Sequence, residues 1–115
     1  MRNLMIGIVL LFFVAPSFAA TGIVETEVRR LMSDPQLFGQ CMARLAVSPH
    51  LNPNLPDCKP DWVTFDCSGD FAAKDVANRS YDAAQLALIT KRVVVLTIDN
   101  TKKHNGYCWV RRTAF

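Results

Sequence analysis

The sequence predicts a small, mainly β domain with one helix (α+β), in the order β-β-β-α-β-β and cross-linked by two disulfides. Three observations predict it. Five short segments carry alternating or continuous apolar residues over strand-like lengths. One longer segment, Phe71 to Ile89, repeats its apolar residues every three or four positions, as a helix does. Four cysteines, Cys41, Cys58, Cys67 and Cys108, all follow an export-type leader.

The leader reads "MRNLMIGIVLLFFVAPSFAA". Arg2 supplies the positive start. Leu4 to Ala15 is an apolar run of roughly a dozen residues, long enough for a signal-peptide core and too short to span a bilayer. Pro16 breaks the run, and Ser17-Phe18-Ala19 offers small residues at both positions that a signal peptidase reads. Cleavage is expected after Ala19, with Ala20 as the alternative. Residues 20–115 then form a single exported domain, periplasmic or secreted, with no further apolar span to cross a membrane. The net charge of the chain is +3, too small a surplus to imply nucleic acid as a partner.

An even number of cysteines in an exported chain reads as a disulfide framework. In a domain of about 95 residues, each bridge would add about 2–4 kcal/mol. Zinc sites usually bring two cysteines within a few residues, and no such pair occurs here. No metal and no cofactor is expected.

The first strand is expected over Ile23–Leu31, with Val24, Thr26 and Val28 inward and Glu25, Glu27 and Arg29 outward. Ser33-Asp34-Pro35 is turn chemistry. The second strand is expected over Gln36–Val47: Leu37, Cys41, Ala43, Leu45 and Val47 share one face, and Gly39 marks a bulge or bend. Ser48 to Pro60 carries four of the six prolines and reads as a long, stiff loop with His50 in solvent. The third strand is expected over Asp61–Cys67, with Val63, Phe65 and Cys67 inward and Trp62 and Thr64 opposite.

Asp70, or alternatively Ser68, is the expected helix N-cap. Ala73, Val76, Ala77, Ser80, Tyr81, Ala84 and Leu88 form the inward stripe, and the small alanines suit close packing on a sheet. Lys91 and Arg92 follow, where the helix dipole favours cations. Arg92–Ile98 is apolar on both faces and reads as a central strand covered on both sides. Tyr107–Ala114 is the fifth strand, reached through Asn105-Gly106, a pair that tolerates positive φ.

Five short strands with a helix between the third and fourth match the oligonucleotide/oligosaccharide-binding barrel, the OB-fold. An open sheet with one helix packed across it shares the element order. The arrangement of "FGQCMARL", "WVTFDCS" and "YDAAQLALITKRVVVLTI" resembles the binding subunits of bacterial AB-type toxins, of the subtilase-cytotoxin and pertussis-like kinds. The resemblance covers most of Ile23 to Ile98. It is carried by a cysteine in strand two, a cysteine ending strand three, an alanine-rich helix with an aromatic, and a basic step into an apolar strand. It implies a glycan-binding subunit that assembles into a homo-oligomeric ring. The long proline-rich loop and the second cysteine pair depart from it.

With that fold, strands two and three are antiparallel neighbours, which sets Cys41 opposite Cys67. Strands three and five are parallel neighbours, which brings Cys58 to Cys108. The expected bridges are therefore Cys41–Cys67 and Cys58–Cys108, among three possible pairings.

No nucleophile–base motif or glutamate pair is present. His104 is the one histidine among polar groups, but a general base needs a nucleophile and an orienting carboxylate, and Asp99 lies across the turn. No enzymatic activity is expected. Lys102, Lys103, His104 and Asn105 instead read as a basic lip on the loop between strands four and five. Lysine and backbone N–H groups suit the carboxylate of an acidic sugar such as sialic acid. Tyr107 and Trp109 share one face of strand five and either point outward beside that lip or cover the helix or the barrel end. The Asp66–Asp70 stretch has groups for a sugar, yet turn and capping chemistry explains it nearly as well. The expected function is an exported binding protein, with host glycans or another secreted protein as partner. The alternative is a stand-alone periplasmic protein-binding or inhibitory domain with no sugar affinity.

Overall fold

The computed structural model describes residues 20–115; the expected leader, residues 1–19, lies outside them. Five strands, β1 (Thr21–Ser33), β2 (Cys41–Leu45), β3 (Trp62–Thr64), β4 (Val93–His104) and β5 (Tyr107–Ala114), close into a barrel in the order β1-β2-β3-β5-β4. The helix α1 (Lys74–Thr90) lies between β3 and β4 in the chain. Closure excludes the open sheet. Every neighbouring pair is antiparallel except β3 and β5, which run parallel and meet at Thr64 and Trp109.

The alternation along β1 holds: Val24, Thr26 and Val28 are buried. Val24 and Val28 meet Ala43 and Leu45 of β2, Val63 of β3, Val94, Leu96 and Ile98 of β4, and Val110 of β5 in one core. The stripe of α1 is narrower than expected. Ala77, Ala84 and Ala87 are buried, while Val76 is 48% exposed. Burial of apolar area at about 25 cal/mol per Å² makes this interior the main stabilising term.

Both expected bridges are present. Cys41–Cys67 and Cys58–Cys108 hold Cα atoms 5.6 and 5.4 Å apart, inside the normal range. Cys41 is not directly opposite Cys67, because β3 stops at Thr64. Phe65 stands across from Cys41 and donates its N–H to the Cys41 carbonyl at 3.0 Å, and Cys67 reaches the bridge from the following turn.

Several element boundaries differ from the expectation: β1 is longer by two residues at each end, β2 also stops early at Leu45, and the larger differences are at the starts of strand two and the helix and at the ends of strands three and four. Strand two begins at Cys41, not Gln36, because Phe38, Gly39 and Gln40 all take left-handed φ of 57°, 71° and 73°. The turn is held by Asp34, whose carboxylate accepts the N–H groups of Gln36 and Leu37. Leu37 and Val47, which lie beyond the two ends of β2, are exposed, and Met42 is buried. Strand three loses its last residues because Asp66 is left-handed, φ 61°. Thr64, expected to point away from the core, is fully buried. The helix begins at Lys74 and is capped by neither Asp70 nor Ser68; Ala73 occupies the N-cap without a side-chain bond. Strand four is a barrel wall rather than a doubly covered strand: Val94, Leu96 and Ile98 are buried while Val93 is 52% exposed. It also runs on to His104, so the loop expected over 99–106 is a two-residue hairpin turn in which Asn105 and Gly106 have φ of 52° and 84°.

The proline-rich segment is more than a spacer. Leu55 is fully buried and docks against Gly22, where an added Cβ would lie 2.7 Å from Leu55 Cδ1. Asn52 donates to the Ile23 carbonyl at 2.9 Å, and the Cys58 bridge fastens the segment to β5. His50 is not simply solvated, since its Nδ1 hydrogen-bonds the Ser48 hydroxyl.

Candidate functional site

Three connections meet at one end of the barrel: the turn between β1 and β2, the loop from Phe65 to Ala73, and the β4–β5 hairpin. Thr64 ties the first two. Its hydroxyl donates to the Phe38 carbonyl at 2.7 Å and accepts the Asp66 N–H at 3.1 Å. Asp66 ties the second to the third. One carboxylate oxygen accepts from His104 Nε2 at 2.7 Å, from the Ser68 hydroxyl at 3.1 Å and from the Asp70 N–H at 3.2 Å. The other accepts the N–H of Phe71 at 2.7 Å and of Ala72 at 3.4 Å. Asp66 is fully buried, and a buried carboxylate is tolerated only with such a complement of donors.

The hairpin places the expected site residues very unequally. Asn100, Thr101 and Lys102 bulge out of β4, since Asp99 pairs with Trp109 and Lys103 already pairs with Cys108. Asp99 caps this bulge through Thr101. Lys103 turns back to the proline-rich segment and pairs with Asp57 at 2.7 Å, so it is not a free cation of a lip. That contact holds the Asp57 carboxyl below its ordinary value, chiefly through the Lys103 hydrogen bond. Asn105 is exposed at the turn. Lys102 stays exposed, with its ammonium 5.5 Å from the Trp109 ring centre and 5.9 Å from that of Phe71.

His104 is mostly enclosed. Its ring stacks on Phe71 with centres 4.4 Å apart and covers Gly39, where an added Cβ would lie 2.6 Å from His104 Cδ2. Trp109 does not project outward. It is only 8% exposed and meets Phe71 edge-on at 5.8 Å. Tyr107 is half-buried, edge-on to Phe38 and beneath the Lys59 ammonium. Two linked patches result: Phe71, His104 and Trp109 under Lys102, and Phe38 and Tyr107 under Lys59.

Sequence reasoning missed Phe71, Phe38 and Lys59, and it gave His104 no carboxylate. Asp66 supplies one from 38 residues away in the chain. The signal was an Asp followed by Gly69 at a strand end, a pattern that equally suits an ordinary turn. His104, Asp66 and Asp70 place one ligand atom each within 4.8 Å of one another, close enough to hold a metal ion. The oxygens of Asp66 are, however, already taken by N–H and O–H donors, which is the arrangement of a loop anchor. The Ser68 hydroxyl bonds the carboxylates of Asp66 and Asp70 rather than His104, so the imidazole does not activate it.

No protein family, curated protein or solved structure matches this chain. The barrel order, the helix position and the parallel β3–β5 contact are consistent with an OB-like fold. Among the described residues, no helix is long and apolar enough to cross a membrane.

Proposed function

We propose that this is an exported binding protein whose ligand is a glycan held on the Lys102–Phe71–Trp109–His104 patch. The observation that carries the proposal is the exposed Lys102 ammonium above two aromatic rings. The half-buried Phe71 ring, backed by the buried Trp109, suits the apolar face of a sugar ring, and an ammonium beside it suits a sugar carboxylate. The exposed Asp70 carboxylate, 3.6 Å from His104, adds an acceptor for sugar hydroxyls. Export is supported by the leader and by two disulfides, which persist in oxidising compartments. Within this proposal the chain serves as a toxin-type binding subunit in a homo-oligomeric ring, a role that rests on the sequence resemblance, with which the OB-like barrel is consistent.

A glycan array probed with the wild type and with Lys102→Ala tests the patch. The expected result is binding to carboxylated glycans that Lys102→Ala loses; silence across acidic and neutral glycans overturns it. Light scattering tests the ring, and a monomer at high protein concentration overturns it.

A second reading, a protein-binding or inhibitory domain without sugar affinity, is favoured by the outer wall. Ile23 and Leu51 are 63% and 67% exposed beside a groove of about 190 Å³. Such clustering of exposed apolar residues is a feature of protein contacts.

A further inference from the structure

β3 ends at Thr64, while β5 continues from Trp109 to Ala114. Beyond Trp109 the wall of the barrel therefore has no β3 partner, and α1 covers the opening. It does so with Ala77, and the preceding loop adds Ala72; these short side chains leave a cavity of about 230 Å³. The walls are Phe65, Ala77, Trp109 and Val110, all buried. The Ser80 and Thr113 hydroxyls meet on the same side of the barrel and tie α1 to β5. The half-exposed Val76 and the exposed Arg111 complete the lining. Arg111 forms no ion pair among the described residues.

An apolar cavity beside an unpaired cation has a definite chemistry. A dry apolar cavity of roughly 150 Å³ already suffices for benzene, so this one has room for a phenyl group or a short acyl chain. A guanidinium nearby pairs with a carboxylate in two-pronged fashion. We propose that this cavity binds the apolar body of a small organic acid, with its carboxylate on Arg111. The site shares Trp109 with the glycan patch but none of that patch's other residues, and it does not depend on the glycan proposal.

The test is an NMR titration of the mature chain with 4-phenylbutyrate and, separately, with its neutral amide. The acid is expected to give saturable amide shifts at Ala77, Ser80 and Val110. The neutral amide should bind about fivefold more weakly, the share of one exposed charge pair. Arg111→Gln should bring the acid to the affinity of the neutral amide. Ala77→Leu, which fills the cavity, and Val76→Trp, which plugs its half-exposed side, should each abolish the shifts, and Val76→Trp keeps the test sound if the core change unfolds the chain. Absence of saturable shifts up to about 10 mM acid, well above the Kd of a millimolar ligand, overturns the proposal. So does undiminished binding in Arg111→Gln or in Val76→Trp.

Discussion

The two halves of β4 are built by different physics. From Val93 to Ile98 the strand pairs with β1 on one side and, from Val95 on, with β5 on the other. It sends Val94, Leu96 and Ile98 into the core. From Asn100 to His104 the pairing with β1 is over and the pairing with β5 is broken by a bulge. That half keeps a backbone bond from Asn100 to Ala20 and rejoins β5 at Lys103 and His104, and its side chains anchor it further: Asn100 and Lys103 on Asp57, His104 on Asp66. The first half is fixed by apolar burial and leaves little surface for a ligand. The second is fixed by a few polar contacts, and those contacts leave Lys102 free above two rings.

Substitutions in the two halves should therefore fail differently. Leu96→Ala empties a fully buried site and should cost about 2–5 kcal/mol, measured by urea unfolding. Asp66→Ala should cost about 2–3 kcal/mol, because His104 Nε2 and the Phe71 N–H lose their acceptor. It should also release Phe71 and His104, which increased mobility of those two residues in NMR relaxation would report. Equal mobility in Leu96→Ala would erase the distinction between the halves.

Gly39→Ala should cost about 1–3 kcal/mol, since its φ is +71° and a Cβ would collide with Thr64 Oγ1 and His104. A melting-temperature loss no larger than that of an exposed substitution would contradict the close packing claimed there. Lys103→Ala should be the mildest, about 0.2–1 kcal/mol, because the pair with Asp57 is partly exposed. Its sign with pH is fixed. The Asp57 carboxyl lies below its usual 3.8 in the folded chain, so the pair stabilises above that pH and the contribution fades as acid protonates Asp57. The gap in melting temperature between wild type and Lys103→Ala should close as the pH falls below about 4.

Legibility in the sequence followed the same division. The alternation in β1, the Asn105-Gly106 turn and the bounds of β5 were readable because local chemistry decides them. The two bridges followed from strand adjacency once the fold was assumed. The ends of strands two and three were misplaced because Phe38, Gln40 and Asp66 are left-handed, a conformation uncommon for non-glycine residues and held at Phe38 by a tertiary contact from Thr64. The candidate site was half readable. Lys102, His104 and Trp109 stood out by composition. Their partners Phe71 and Asp66 come from a loop that no local pattern connects to the hairpin.

The most direct test is an NMR titration of the mature chain with a sialylated trisaccharide. Shifts are predicted at the Trp109 indole N–H, at His104 and at Lys102, with Val93–Ile98 unmoved and with all shifts lost in Lys102→Ala. An unchanged spectrum, or shifts confined to the Ile23–Leu51 wall, would contradict the account.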